Sequence, residues 1–268
     1  MIYETVQIYP GHPHVTLTVY AADEAYSRRD ALLVIPGGAY RGVCADREGE
    51  PIALRFLAAG VNAFVLNYTV SSGECLDLQP LCDASMAMRY IRENAAKYHI
   101  DRNRVFAVGF SAGGHLAASL ATLWHEPRLQ EKLPGMGDMN RPEGAILCYP
   151  VLTMDEHTNS ATRDSLTGGD KALMEFFSIE KHVDEKSAPA FFMHTAADQA
   201  VPVENSLMTA RAYAAAKVPH ELHIYPEGLH GVALANEVTW QGNRNWLSKG
   251  AERWPDEALR WMRSLPGR

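Results

Sequence analysis

The chain has 268 residues, 47% hydrophobic and 21% charged, with a formal charge of −7. That length suits one α/β domain over residues 1–268 with a large buried core, and the composition is that of an ordinary globular protein. The negative balance argues against nucleic-acid or anionic-membrane partners, which call for a basic surface.

The opening Met1-Ile-Tyr-Glu-Thr lacks the basic start and apolar core of a secretory leader. No apolar run reaches the length of a membrane span. Cys44, Cys75, Cys82 and Cys148 are scattered without metal-ligand spacing. Buried thiols in a reducing, cytoplasmic compartment are the expectation.

Residues 3–8 and 14–20 read as strands separated by Pro10-Gly11, and a charged loop spans 23–30. Residues 31–35 form a short continuous apolar run, as in strands covered on both faces. Residues 51–59 carry helical spacing closed by Gly60, and 62–66 is another buried strand. The stretch 81–98 is helical, with Leu81, Ala84, Met88 and Ile91 on one side. A strand at 105–108 and a helix at 112–124 flank a glycine-rich turn. Strands at 145–148, 190–194 and 221–225 follow, with a helix at 203–216 between the last two. A final helix at 246–265 is interrupted by Pro255. Such alternation implies a mostly parallel sheet with helices on both faces. Between 151 and 188 no strand is expected and 171–177 reads as a short amphipathic helix. An insertion after the 145–148 strand would lie beyond the carboxyl ends of the sheet, where ligands bind, so a small cap is expected there.

The most informative stretch is Gly109-Phe-Ser111-Ala-Gly113 between an apolar strand and a helix faced with small residues. That context makes a nucleophile elbow, a tight turn that projects a serine hydroxyl. A serine needs a neighbouring base, and the base an orienting acid. Among eleven histidines, His230 lies in a glycine-flanked loop straight after the 221–225 strand. His223 lies within that strand and His115 one turn along the elbow helix, so both read as packing residues. Asp198 sits in a loop just past the 190–194 strand, between serine and histidine in chain order. Asp155 and Asp184 are rivals that follow no convincing strand. An acyl-transfer site also needs donors for an oxyanion. The N–H of Ala112 and that of Gly38 or Ala39, in Pro36-Gly-Gly-Ala-Tyr40, are the candidates. Tyr40 and Tyr68, with Met154, Phe176, Phe177 and Trp240, are candidate pocket walls.

At these motifs the chain resembles the α/β-hydrolase superfamily over nearly its full length. Pro36-Gly-Gly-Ala-Tyr40, Glu48-Gly49, Ala63-Phe-Val-Leu66 with Tyr68, and Gly109-Phe-Ser-Ala-Gly-Gly-His115 are similar to the small acetylxylan-esterase-like carboxylesterases. That group borders on the hormone-sensitive-lipase-like and feruloyl-esterase-like enzymes. Asp198-Gln-Ala-Val-Pro202 and Gly228-Leu-His-Gly231 match its acid and base loops. The resemblance implies serine-dependent hydrolysis of short acyl esters, with acetylated sugars as candidate substrates and no metal or organic cofactor. Pro36 replaces the histidine of the lipase relatives' His-Gly-Gly-Gly loop, Ala39 stands where a third glycine is frequent, and Thr69 where an arginine often follows. A prolyl-oligopeptidase-like peptidase would use the same triad, but usually carries a further domain. A dienelactone-hydrolase-like enzyme would prefer cysteine at Ser111. A hydrolase-fold binding module without catalysis is the rival from another class. A homo-oligomer is open, with the N-terminal strands and 151–188 as packing surfaces.

Overall fold

The computed structural model describes residues 1–23, 27–71 and 73–267, so positions 24–26 of the charged loop lie outside the described residues. Its strands are β1 (Ile2–Gln7), β2 (Thr16–Ala21), β3 (Arg29–Ile35), β4 (Asn62–Asn67), β5 (Ile100–Phe110), β6 (Ala145–Cys148), β7 (Ala190–Thr195) and β8 (His220–Tyr225). They form one sheet in the order β1-β2-β4-β3-β5-β6-β7-β8. The first two pairings are antiparallel and the rest parallel. The reversal of strand order around β3 and β5 opens a crevice at their carboxyl ends.

Side chains on successive strand positions point to opposite faces, and the core divides accordingly. Leu33, Phe64, Ala107, Leu147 and Phe192 pack on one side of the sheet. Leu32, Val34, Ala63, Val108, Ile146 and Phe191 pack on the other. The helices are α1 (Ala45–Glu48), α2 (Glu50–Ala58), α3 (Gln79–Glu93), α4 (Ala112–Thr122), α5 (Pro127–Lys132), α6 (Ser160–Thr167), α7 (Lys171–Phe177), α8 (Glu204–Ala215) and α9 (Trp254–Ser264). Residues of α3, α4 and α8 join the first core, whereas α2 and α9 cover the second.

Two helix boundaries differ from expectation. Helix α3 stops at Glu93: Asn94 leaves the helical conformation at φ −100° and ψ 19°, and its side-chain amide caps the carbonyl of Tyr90. Pro255 does not interrupt the last helix but opens it. Helix α9 begins at Trp254 with the proline in its first turn, where no intrahelical N–H is required. The chain before it makes short 3₁₀ turns at Arg244–Trp246 and Ala251–Arg253. All four cysteines are free; Cys82 and Cys148 are buried as expected, but Cys44 is half-buried and Cys75 exposed.

The segment 151–188 contains α6, α7 and no strand among its residues. It is tied down at several points. The N–H groups of Leu152 and Thr153 donate to Asn205 Oδ1 at 2.8 and 3.1 Å. The N–H groups of Leu76 and Asp77 reach the carbonyls of Ser165 and Leu166 at 3.2 and 3.0 Å, and Arg41 Nε donates to Ser165 Oγ at 2.9 Å. No helix of the described residues is long and apolar enough to cross a membrane.

Candidate active site

Strand β5 runs into α4 through Ser111, whose backbone is held at φ 55° and ψ −119°. A non-glycine residue there is strained by roughly 1–3 kcal/mol and persists only because its surroundings enforce it. The enforcement is close packing. A Cβ on Gly109 would lie 2.0 Å from the carbonyl oxygen of Gly113, and one on Gly113 would lie 2.1 Å from that of Ile35. Strand, helix and the loop after β3 can meet this closely only without side chains at those positions.

The serine hydroxyl lies 2.8 Å from His230 Nε2, and His230 Nδ1 lies 2.7 Å from Asp198 Oδ2. The carboxylate can only accept, so Nδ1 carries the proton and Nε2 is left to accept from Ser111. Residues 119 and 32 apart in sequence are thus in hydrogen-bonding contact. Asp198 is itself fixed: its Oδ1 accepts from the N–H groups of Ala200 and Val201, both at 2.9 Å. Burial opposes its ionisation, but hydrogen bonds from His194 and His230, the charge of His230 and the Val201 N–H outweigh this and hold the carboxyl well below its ordinary range. The base loop is braced by Trp246 Nε1, which donates to the His230 carbonyl at 3.0 Å, and by the Tyr149 ring, edge-on to the imidazole at 5.1 Å.

A cavity of about 250 Å³ opens over Ser111 and His230. Gly38 and Ala39 border it, and Ala112 opens α4 directly after the serine. The Gly37 N–H is already committed to Glu48 Oε2 at 2.8 Å. Of the three residues after Pro36, that leaves Gly38 and Ala39 as candidate donors. The remaining walls are Cys44, Arg47 and Glu48 from the α1 region and Asn159 and Ala161 from the inserted segment. Asn159 caps α6 through Thr162 N and also donates to the Ala200 carbonyl at 3.2 Å, joining the insertion to the acid loop.

Tyr40 and Tyr68 are corrections. Both are fully buried, with Tyr40 Oη 2.8 Å from His115 Nδ1 and Tyr68 Oη donating to the Pro36 carbonyl at 2.7 Å. They support the loop after β3 from behind and do not line the cavity. Met154 and Phe177 are likewise core, and Phe176 packs edge-on against Phe177. Trp240 is half-buried in a turn closed by Asn243 N on its carbonyl. Asp155 is exposed and paired with Lys181, and Asp184 closes a turn through Lys186 and Ser187. Neither meets the imidazole. His223 stays with its strand, stacked on Phe191. Arg47, Cys44, Asn159 and Ala161 had no motif to announce them.

His115 is buried, between Tyr40 Oη and the Phe177 carbonyl, 2.9 Å from its Nε2. That carbonyl can only accept, so Nε2 carries the proton and Nδ1 accepts from the tyrosine. Burial lowers its pKa from 6.5 to about 4. The unfolded chain therefore binds a proton first as pH falls, and folding stability drops between about pH 6.5 and 4. Full depression of that size is worth about 3 kcal/mol. His115→Gln should flatten this part of the stability profile in urea denaturation; an unchanged slope would refute the assignment.

Comparison with known proteins gives a consistent picture. Residues 17–212 match the BD-FAE family. The chain is 41% identical over 220 residues to endo-1,4-beta-xylanase B of Butyrivibrio fibrisolvens, covering 80% of this chain and 34% of that protein. It is 29% identical over 244 residues to the acetylxylan esterase of Xylanibacter ruminicola, covering 88% of this chain and 46% of that one. The chain thus spans less than half the length of these two relatives. The solved structure of a carboxylesterase from Lactobacillus plantarum superimposes with a TM-score of 0.88 at 31% identity over 100% of both chains. Sheet, elbow crossing and relatives together place the chain in the α/β-hydrolase superfamily, beside proteins named as esterases and a carboxylesterase. Within that superfamily the chain belongs to the BD-FAE family.

Proposed function

We propose that the protein hydrolyses short-chain acyl esters, acetyl groups on xylo-oligosaccharides being the natural candidates, through Ser111, His230 and Asp198. The observation that carries the reading is the unbroken hydrogen-bonded line from Ser111 Oγ through His230 to Asp198 at the floor of one cavity. Ser111 Oγ attacks the ester carbonyl carbon and passes its proton to His230 Nε2. The resulting oxyanion rests against the Ala112 N–H and that of Gly38 or Ala39, at the positive end of α4. Collapse expels the alcohol, which takes the proton back from Nε2 and leaves an acyl-serine. Water then repeats the sequence and releases the acid. Asp198 keeps the productive tautomer and stabilises the imidazolium.

Chain-length preference follows from the walls. Ala39, Cys44 and Ala161 are small, the cavity is about 250 Å³, and Arg47, Glu48 and Asn159 make part of it polar. Such a site suits a short acyl group and a hydroxylated leaving group better than a long alkyl chain. Support for a sugar alcohol comes from similarity to an acetylxylan esterase and to a protein named as a xylanase. The residues 151–188 supply one wall and act as a small cap. Each methylene a pocket excludes is worth about 1–3 kcal/mol, so kcat/KM should fall at least tenfold from 4-nitrophenyl acetate to the octanoate. Release of acetate from acetylated xylo-oligosaccharides tests the natural substrate. Equal rates on acetate and octanoate would remove the short-acyl assignment. Cleavage of a peptide anilide instead of the esters would favour a peptidase.

A further inference from the structure

The Glu48 carboxylate is 2% exposed, yet it ends a helix of only four residues and both its oxygens are spoken for. Oε2 accepts the Gly37 N–H at 2.8 Å. Oε1 accepts the Tyr149 hydroxyl at 2.9 Å. That hydroxyl in turn accepts the Ala233 N–H at 3.0 Å, three residues past His230, and the ring of the same tyrosine lies edge-on to the imidazole. The adjacent Arg47 extends the bridge. Its Nη2 lies 3.6 Å from Glu48 Oε1 and its Nη1 donates to the Gly231 carbonyl at 2.9 Å, while its guanidinium sits 4.0 Å above the Trp246 ring. A buried carboxylate is tolerated only when paired and hydrogen-bonded, and here the pairing draws on both sides of the site.

We propose, resting on the esterase reading, that Glu48 is a positioning residue that locks the oxyanion loop at Gly37 to the base loop at Ala233 through Tyr149. Loop and base come from opposite ends of the chain and, among the described residues, share no direct backbone hydrogen bond. Their spacing therefore depends on a side chain that grips both. Preorganised donors stabilise the transition state only when held where the negative charge develops. A loosened Gly37 would displace the neighbouring donors more than it would disturb ground-state binding. The geometry also explains the lack of room at this point: a Cβ on Gly37 would come within 2.9 Å of both Glu48 Oε2 and Ser111 Cβ.

Glu48→Gln keeps the size but replaces one acceptor oxygen with an NH₂ group, so one of the two donors loses its partner. Per active site, counted by stoichiometric labelling with a 4-nitrophenyl phosphonate, kcat on 4-nitrophenyl acetate should fall about 10²-fold with KM within about twofold. The inhibition constant of a trifluoromethyl ketone, whose adduct with the serine carries an oxyanion, should weaken in parallel. Tyr149→Phe, which removes only the hydroxyl, should show the same split more weakly and serves if Glu48→Gln does not fold. A lowered unfolding midpoint with unchanged kcat and ketone affinity per labelled site would overturn the proposal. Wild-type protein no more active than Ser111→Ala would sink the esterase reading itself, and this inference with it.

Discussion

Ser111→Ala is expected to lower kcat for 4-nitrophenyl acetate by about 10⁶-fold, and His230→Ala by a similar factor. Neither substitution should matter much to KM. Asp198→Asn should cost less, about 10⁴-fold, because the imidazole is still present but no longer held in the tautomer that accepts from the serine. The double variant Ser111→Ala/His230→Ala should be no worse than either single one, since the groups act as a unit. Residual activity of about 10³-fold over water would come from the oxyanion donors and binding alone. Steady-state rates on the four proteins decide the matter. Additive losses, or a Ser111→Ala protein with near wild-type turnover, would show that another nucleophile carries the reaction.

The second large effect concerns stability. Gly113→Ala places a methyl 2.1 Å from the Ile35 carbonyl oxygen and 2.4 Å from that of Pro36. Both obstacles are backbone at the end of the central strand β3 and cannot rotate away. The crossing of α4 over that loop must open, and the loss should exceed about 4 kcal/mol, a size reserved for a forced clash in the core. Gly42→Ala is the matched control: its Cβ meets nothing within 4 Å, and the change should stay within about 0.5 kcal/mol. Urea unfolding of both variants checks this, with soluble yield as the readout if Gly113→Ala does not fold. Equal midpoints would overturn the close crossing of strand and helix at this glycine.

Much of the architecture was legible because it is written locally. The apolar runs before and after Gly109-Phe-Ser-Ala-Gly113 set the strand and the helix, and the glycines between them mark the only way to join the two so abruptly. Asp198 and His230 could be picked out because each follows a strand directly, and parallel strands deliver such loops to one edge of the sheet. The walls of the cavity were not legible in the same way. Arg47 reaches the site by lying on Trp246, about 200 positions later, and Asn159 by bonding to the Ala200 carbonyl. No local pattern encodes such meetings. The aromatic residues misled for a definite reason. Tyr40 follows the glycines of the loop and looks like a pocket wall, but its backbone takes a positive φ of 58°, and its hydroxyl meets His115 in the interior. Helices α1 and α6 were also missed: α1 is only four residues long, and α6 (Ser160-Ala-Thr-Arg-Asp-Ser-Leu-Thr167) carries too few apolar positions to mark a face.

The many anchors of residues 151–188 bear on how molecules enter and leave. Asn205 grips one end, the 76–77 turn and Arg41 hold the middle, and the Phe177 carbonyl is pinned by a histidine deep in the interior. A flap needs a hinge and a free margin, and this stretch has little of either. On the proposed esterase reading, ester and alcohol would pass through a preformed mouth, with no closing gate to pace release of product.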